Sequence, residues 1–276
     1  VPRILSGVFE GKTTGTPLCA VIQNGNTRSG DYDRTKNLAR PSHADFTGFV
    51  RYKGCNDYRG GGHFSGRLTA PLVFAGAVAK LALREKGIFV GAHILQLGAE
   101  KDQSFTEESL TENAFEALAE KDFTVLDDNA GERMKAIIQE ARRNLTSVGG
   151  IIQCAIIGMP CGVGSPDKDN LEGIIARNIF RVPAVKGIEF GLGFGFASAY
   201  GHEVNDEMRM ENGEIVTETN HNGGILGGIS NGMPIVFQTP LPSAGSRKLL
   251  IWLTCRTTLS SSRGGMTPVF SPGHRW

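Results

Sequence analysis

Apolar positions recur along the chain with two different periods, and the switches between them predict a mixed helix–strand protein. Residues 4–9 (Ile-Leu-Ser-Gly-Val-Phe) and 17–23 (Pro-Leu-Cys-Ala-Val-Ile-Gln) read as strands joined by the polar turn 10–16. Residues 24–56 show no period and read as a long loop, a type that in compact domains is usually functional or disordered. From 68 to 86 the chain is apolar and rich in small residues (Ala75, Gly76, Ala77, Ala79, Ala82), which predicts a helix stopped by Gly87. Residues 88–97 predict a strand with His93 packed in the sheet, and the acidic stretch 100–122 predicts a short helix from Glu107. In 131–146, Met134, Ile137, Ile138, Ala141 and Leu145 share one face, as an amphipathic helix requires. A continuous apolar run within 149–158 predicts a buried strand. A glycine turn over 160–166 follows, then a helix capped near Asp167 or Asp169 that carries Leu171, Ile174, Ile175, Ile179 and Phe180. Residues 185–190 predict a further strand continued by 191–196. The two Gly-Gly pairs and Asn231-Gly232 within 220–237 mark a loop that passes close to a ligand.

Composition narrows the class. The 276 residues can bury one large core or two modest ones. A formal net charge of +1 with 21% charged residues implies neither a nucleic acid nor a membrane partner. Five cysteines with no Cys-x-x-Cys spacing argue for reduced thiols, a cytoplasmic location, and neither a disulfide framework nor a zinc site. No charged-then-apolar leader and no bilayer-length apolar run is expected. The chain opens at Val1, inside what reads as a strand, so a fragment with a missing N-terminus is expected. Gly11-Lys12-Thr13 is one residue short of P-loop spacing after Gly7 and precedes a hairpin, which excludes that motif. The glycines of 191–196 are not followed by a helix pattern, which excludes a dinucleotide fingerprint.

The chemistry gathers in residues 57–80. Gly60, Gly61 and Gly62 suit neither helix nor strand interiors and predict a loop of close approach. Pro71 suits the first turn of the helix that follows. A glycine loop feeding a helix N-terminus offers backbone N–H groups to an anion, and Arg59, His63, Ser65 and Arg67 add side-chain donors. The stretch reads as an oxyanion site, for a phosphate or a carboxylate.

That stretch resembles the central motif of the chorismate synthase family: Arg-Gly-Gly-Gly, Ser-Gly-Arg, a following Thr, then the small-residue helix. The early hairpin Leu-Ser-Gly-Val-Phe-Glu-Gly-Lys-Thr-Thr-Gly-Thr-Pro is similar to that of the same family, as are Arg40-Pro-Ser-His-Ala-Asp45, Val182-Pro-Ala-Val-Lys-Gly187 and the 220–237 loop. The resemblance spans roughly residues 4–238 and implies an α+β fold, a β-α-β sandwich that is incomplete here and assembled as a homotetramer. It implies a shikimate-pathway lyase of aromatic amino-acid biosynthesis. The reaction converts 5-enolpyruvylshikimate 3-phosphate to chorismate and phosphate by anti-1,4 elimination with reduced FMN. NADP is associated with the family, and how the flavin is reduced stays open. By the same match His43 is the catalytic residue, protonating or hydrogen-bonding the reduced flavin. His63, Phe64, Ser65, Pro183, Ala184 and Gly227 contact FMN, while Arg59, Ser65 and Arg67 bind substrate. No metal is expected.

Beyond Gln238 the resemblance stops. Residues 239–276 read as an aberrant tail, either a low-complexity linker or a shifted reading frame. With permitted codons, Ser246 onward can be reread to contain the family's Gly-Arg-His-Asp-Pro-Cys. The family's Gly-Glu-Ser-His-Gly motif is expected to lie before Val1. A catalytically inactive flavin- or phosphate-binding remnant is therefore the alternative reading, and an unrelated phosphate-binding enzyme the rival.

Overall fold

The computed structural model describes residues 2–25 and 37–242, which fall into two compact units, one up to Ala82 and another from Leu83 onward. Residues 26–36 of the expected long loop, and the tail beyond Pro242, lie outside the described residues.

The first unit begins with two small antiparallel pairs. β1 (Arg3–Ser6) and β2 (Val8–Phe9) are one expected strand broken at Gly7, whose φ is +85°. β3 (Lys12–Thr13) pairs with β2, and β4 (Cys19–Val21) pairs with β1. A β-carbon on Gly7 would stand 2.6 Å from Leu18 Cα, so the break is where two backbones pass closely. The expected long loop contains α1 (Asp45–Arg51), a seven-residue helix missed because its apolar residues lie outward: Phe46, Phe49 and Val50 are all exposed. α2 (Thr69–Arg84) follows the glycine loop with Pro71 in its first turn. It stops as predicted: Gly87 has φ +71°, and the Ile88 N–H bonds back to the Leu83 carbonyl. One expectation changes here. The 19-residue stretch Gly66–Arg84, with an 18-residue window of mean hydropathy 1.3, is by length and composition apolar enough to cross a membrane.

The second unit is built on a five-stranded antiparallel sheet, and the mixed α+β content expected from the sequence is what the structure has. β5 (Phe89–Leu97) pairs with β6 (Glu100–Lys101) and with β7 (Gly150–Ile157). Between β6 and β7 come α3 (Glu112–Glu120) and α4 (Asp128–Arg143). α5 (Leu171–Ile179) and β8 (Glu189–Phe190) follow, then α6 (Gly201–Val204) and the separate hairpins β9 (Met208–Glu211) with β10 (Glu214–Thr217) and β11 (Ile225–Leu226) with β12 (Ile229–Ser230). β13 (Ile235–Leu241) completes the sheet in the order β6-β5-β7-β13-β8.

Both sheet faces are covered, which is why β7 reads as a continuous apolar run. On one face Ile94, Ile152, Cys154, Ile235, Phe237 and Leu241 join Met134 of α4 and Leu171 of α5. On the other, Ala155 meets Phe115 and Leu118 of α3. A β-carbon on Gly91 would stand 2.4 Å from the Phe115 ring, so that glycine makes room for α3 on the strand. His93 is fully buried, as expected. Its Nδ1 lies 3.1 Å from Asp102 Oδ2 and its Nε2 3.0 Å from Gln153 Oε1, which also accepts the Phe105 N–H.

Three local expectations are corrected. Leu145 lies beyond α4 with φ +51° and is 96% exposed, because the helix ends at Arg143. α5 is capped by Asn170, whose side chain accepts the Gly173 N–H, rather than by either aspartate. Gly193–Ser198 is a 3-10 turn rather than a strand, since the positive φ of Gly191 (+53°) and Gly193 (+55°) turns the chain out of β8.

Candidate functional site

The first unit brings His43, the glycine loop and Arg67 together. Across Arg59–Phe64 all three glycines hold positive φ: +61° at Gly60, +81° at Gly61 and +51° at Gly62, the last with ψ −132°. Only glycine adopts such a run without strain. Space adds its own requirement. A β-carbon on Gly62 would stand 2.2 Å from the Asp57 carbonyl oxygen, and one on Gly60 2.2 Å from Nη1 of Arg67. Arg67 therefore crosses bare backbone, and its Nη2 reaches the Arg59 carbonyl at 3.4 Å. α1 docks on the same loop, since the Phe64 ring fills the space where a Gly48 side chain would be. Ser65 is buried and accepts the Arg67 N–H at 3.4 Å, ending the glycine loop and opening the turn into α2. His63 is exposed and Phe64 half-buried.

His43 stands over this loop. A β-carbon on Gly61 would lie 3.4 Å from His43 Nε2, so the imidazole faces the backbone of the central glycine. Its other nitrogen, Nδ1, is 2.6 Å from Asp45 Oδ1. Arg40 closes on the same carboxylate with Nε at 2.8 Å, Nη2 at 2.8 Å and its backbone N–H at 2.9 Å. The Arg40 side chain, offsetting the cost of burial, holds the Asp45 carboxyl far below the usual carboxylate range. Arg40 Nη2 is 3.1 Å from His43 Nδ1 and 3.2 Å from Nε2. An in-plane approach equidistant from both would collide with the carbon between them, so the cation lies over the ring face.

Arg59 folds back on Asp57, with Nε at 2.8 Å and Nη2 at 3.0 Å from its two oxygens. That pairing lowers the Asp57 carboxyl to about 2. Arg67 makes no ion pair among the described residues. Of the two arginines expected to hold substrate, Arg67 thus has the open guanidinium, while Arg59 must exchange its carboxylate to take up another anion.

The remaining expected residues belong to the second unit. Gly227 and Gly228 form the two-residue turn of the β11–β12 hairpin, with φ +61° and +83°. A Gly228 side chain would strike Asn170 and Ser165, whereas nothing stands within 4 Å of the Gly227 β-carbon position. Gly228 also accepts the Leu171 N–H at the start of α5. Pro183 and Ala184 follow the other end of that helix, and Ala184 holds φ +75°, a strained value for a residue with a β-carbon. The hairpin turn and Ala184 thus sit at opposite ends of a helix about 13 Å long.

Two carboxylates were given no role by the sequence. Asp45 could have been found from its place two residues after His43. Asp206 had no such signal, lying 13 to 16 residues before its partners. It accepts from the Thr219 hydroxyl at 2.7 Å, the His221 and Asn222 N–H groups at 2.7 and 2.9 Å, and Asn222 Nδ2 at 2.8 Å. Burial pushes its carboxyl up, but these hydrogen bonds outweigh burial and hold it below its ordinary value. The segment they anchor leads into the Gly227 hairpin. Asn220 Oδ1, His221 Nδ1 and Asn231 Nδ2 are buried there with no hydrogen-bond partner among the described residues.

The sequence profile of the chorismate synthase family matches residues 1–248. The chain is 44% identical over 246 residues to a chorismate synthase of Thermococcus kodakarensis, covering 88% of this chain and 67% of the relative. It is 42% identical over 261 residues to one of Dehalococcoides mccartyi, covering 94% and 71%. A crystal structure of a chorismate synthase superposes with TM-score 0.71 at 28% identity, over 92% of this chain and 77% of that one. Motif, fold and relatives agree, and the chain belongs to the chorismate synthase family.

Proposed function

We propose that residues 40–69 form a flavin and substrate shell of this lyase, and that the loops at Pro183–Ala184 and Gly227 carry flavin contacts, as the family resemblance implies. The family's reaction is the anti-1,4 elimination of phosphate from 5-enolpyruvylshikimate 3-phosphate to give chorismate, and it needs a flavin. The observation that carries the residue assignment is His43, held by Asp45 and Arg40 with Nε2 over the Gly60–Gly62 backbone. The residues present fit a flavin. The glycine loop offers backbone without side chains, the Gly227 turn opens onto free space, and two buried amide atoms beside that hairpin, Asn220 Oδ1 and Asn231 Nδ2, make no hydrogen bond among the described residues.

The flavin would be reduced FMN, and the residues that would contact it are His63, Phe64 and Ser65 of the glycine loop, and Pro183, Ala184 and Gly227. When bound, it lends electron density to the allylic system as phosphate leaves and recovers it as the ring hydrogen departs, with no net redox change. Arg67, Arg59 and Ser65 take the anionic groups of the substrate, a fork-shaped cation being suited to phosphate and carboxylate. His43 donates or shares a proton at Nε2. The enzyme works in the cytoplasm as a homotetramer, without nucleic acid or membrane as partner.

The test is anaerobic turnover with photoreduced FMN, followed by chorismate absorbance. His43→Ala should lower kcat by roughly 100- to 10,000-fold, the usual worth of a general acid–base group, while flavin binding persists. A variant that turns over at the parental rate refutes the assignment.

A further inference from the structure

We infer that His93 and Asp102 form a proton-dependent clasp in the second unit: His93 is a buried imidazolium that donates from both ring nitrogens, and the segments it fastens loosen as pH rises.

The acceptors around the ring decide this. His93 on β5 stands opposite Gln153 on β7, and the side chains of His93 and Asp102 are both fully buried. A carboxylate has about four acceptor positions, two on each oxygen. Asp102 Oδ1 accepts the Gln103 and Asp127 N–H groups, each at 2.9 Å, and Oδ2 accepts the Leu126 N–H at 2.6 Å. The position left over meets His93 Nδ1 at 3.1 Å. Three backbone donors favour the ionised carboxyl, so the hydrogen of that contact sits on Nδ1. On the other side, Gln153 Oε1 is 3.0 Å from His93 Nε2 and accepts the Phe105 N–H at 2.9 Å. Exchanging the two amide atoms of Gln153 would set an NH2 against that N–H, donor to donor, so it is an oxygen that faces the ring. Nε2 therefore carries a hydrogen as well. A ring with a single hydrogen would press a lone pair against an oxygen at one end, inside a site closed by the edge of the Phe105 ring.

The buried charge is offset by the carboxylate beside it. Asp102 is the titratable group that faces the ring among the described residues. Gln153 and Phe105 are neutral, and Asp127 turns its own carboxylate to the first turn of α4. Gln103 and Phe105 follow β6, while Leu126 and Asp127 lead into α4, so both connections are fastened to β5 and β7 through this pair. An unfolded histidine gives up its second proton near pH 6.5, roughly. The folded ring keeps it, so the stabilisation is complete below that pH and declines as pH rises above it.

The test uses the full-length protein. Proton and nitrogen-15 NMR at about pH 7.5, roughly one unit above the ordinary histidine value, should show one imidazole with both nitrogens protonated. A nuclear Overhauser contact between its Nε2 hydrogen and the Phe105 amide hydrogen identifies that ring as His93 without any substitution. A His93 ring with one hydrogen at that pH overturns the inference. Urea unfolding over the same range gives a second reading. Relative to His93→Gln, the folding constant of the parent should fall by up to about tenfold per pH unit above about pH 6.5. Parallel pH profiles of parent and variant overturn the inference, and the NMR spectrum of the parent decides it alone if His93→Gln does not fold.

Discussion

Replacing Gly61 by alanine separates the chemistry of the glycine loop from its contribution to folding. Gly61 holds φ +81°, a conformation that costs an L-residue roughly 1–2 kcal/mol. The new β-carbon would meet His43 Nε2 at 3.4 Å and Cε1 at 3.5 Å, ordinary contact distances, so no clash adds to that cost. A fold only about 5 kcal/mol stable keeps about 3 kcal/mol, which leaves about 99% of molecules folded. Unfolding therefore cannot explain a large loss of rate. The methyl group, however, occupies the space in front of Nε2, where a reacting group must come within hydrogen-bond reach. We expect kcat to drop at least about tenfold while the urea midpoint falls only modestly. Gly76→Ala in α2 is the control: nothing lies within 4 Å of its β-carbon position, and its φ is not in the left-handed range. Removing that helix-interior glycine should raise stability by about 0.8–1 kcal/mol and leave the rate unchanged. Stability is read by urea denaturation and rate by anaerobic turnover. A Gly61→Ala enzyme that is destabilised as expected yet keeps its parental kcat would show that nothing reacts in the space between Nε2 and the loop.

Further outcomes follow from the same geometry. Arg67→Ala should weaken substrate binding by about 2 kcal/mol or more, the worth of a charged hydrogen bond, and flavin binding much less; equal losses of both in titrations would contradict its placement. Gly91→Ala must push a β-carbon into the Phe115 ring and should cost about 1–3 kcal/mol in thermal or urea unfolding. Asp102→Asn disrupts the buried hydrogen bonds of that carboxylate with His93 and three backbone N–H groups and should cost about 1–3 kcal/mol at neutral pH. Burial pushes the Asp102 carboxyl up, but His93 and three backbone N–H groups hold it below its ordinary value. Its stabilisation is thus complete above the unfolded value near pH 3.9 and is lost as pH falls through the depressed folded one. Urea midpoints of parent and variant should converge in acid, and parallel curves down to pH 3 would disprove the linkage.

Local chemistry was legible wherever one residue type is the only solution. Gly87 ends α2, Pro71 opens it, and Gly60–Gly62 form a loop because all three hold positive φ and a β-carbon would clash at Gly60 and Gly62. The buried strand β7 was legible too, since two covered faces require a continuous apolar run. The anion-loop reading of 57–80 came from the residues themselves, whereas the roles expected of His43, Pro183, Ala184 and Gly227 came from the resemblance of their motifs to the family. Other features were decided only by packing. α1 escaped because its apolar residues point outward, so no periodic stripe betrays it, and its fit depends on a glycine facing Phe64. Leu145 matched the helical period and still fell outside α4, because a period says which face a residue would take and not where the helix stops. The grip of Asp45 and Arg40 on His43, the folding of Arg59 onto Asp57, and the reach of Asp206 to Thr219 and Asn222 all depend on side-chain direction, which spacing does not specify. A sequence states which groups are present and which backbone angles are allowed. Which lone pairs meet which protons is settled only when the chain has closed around them.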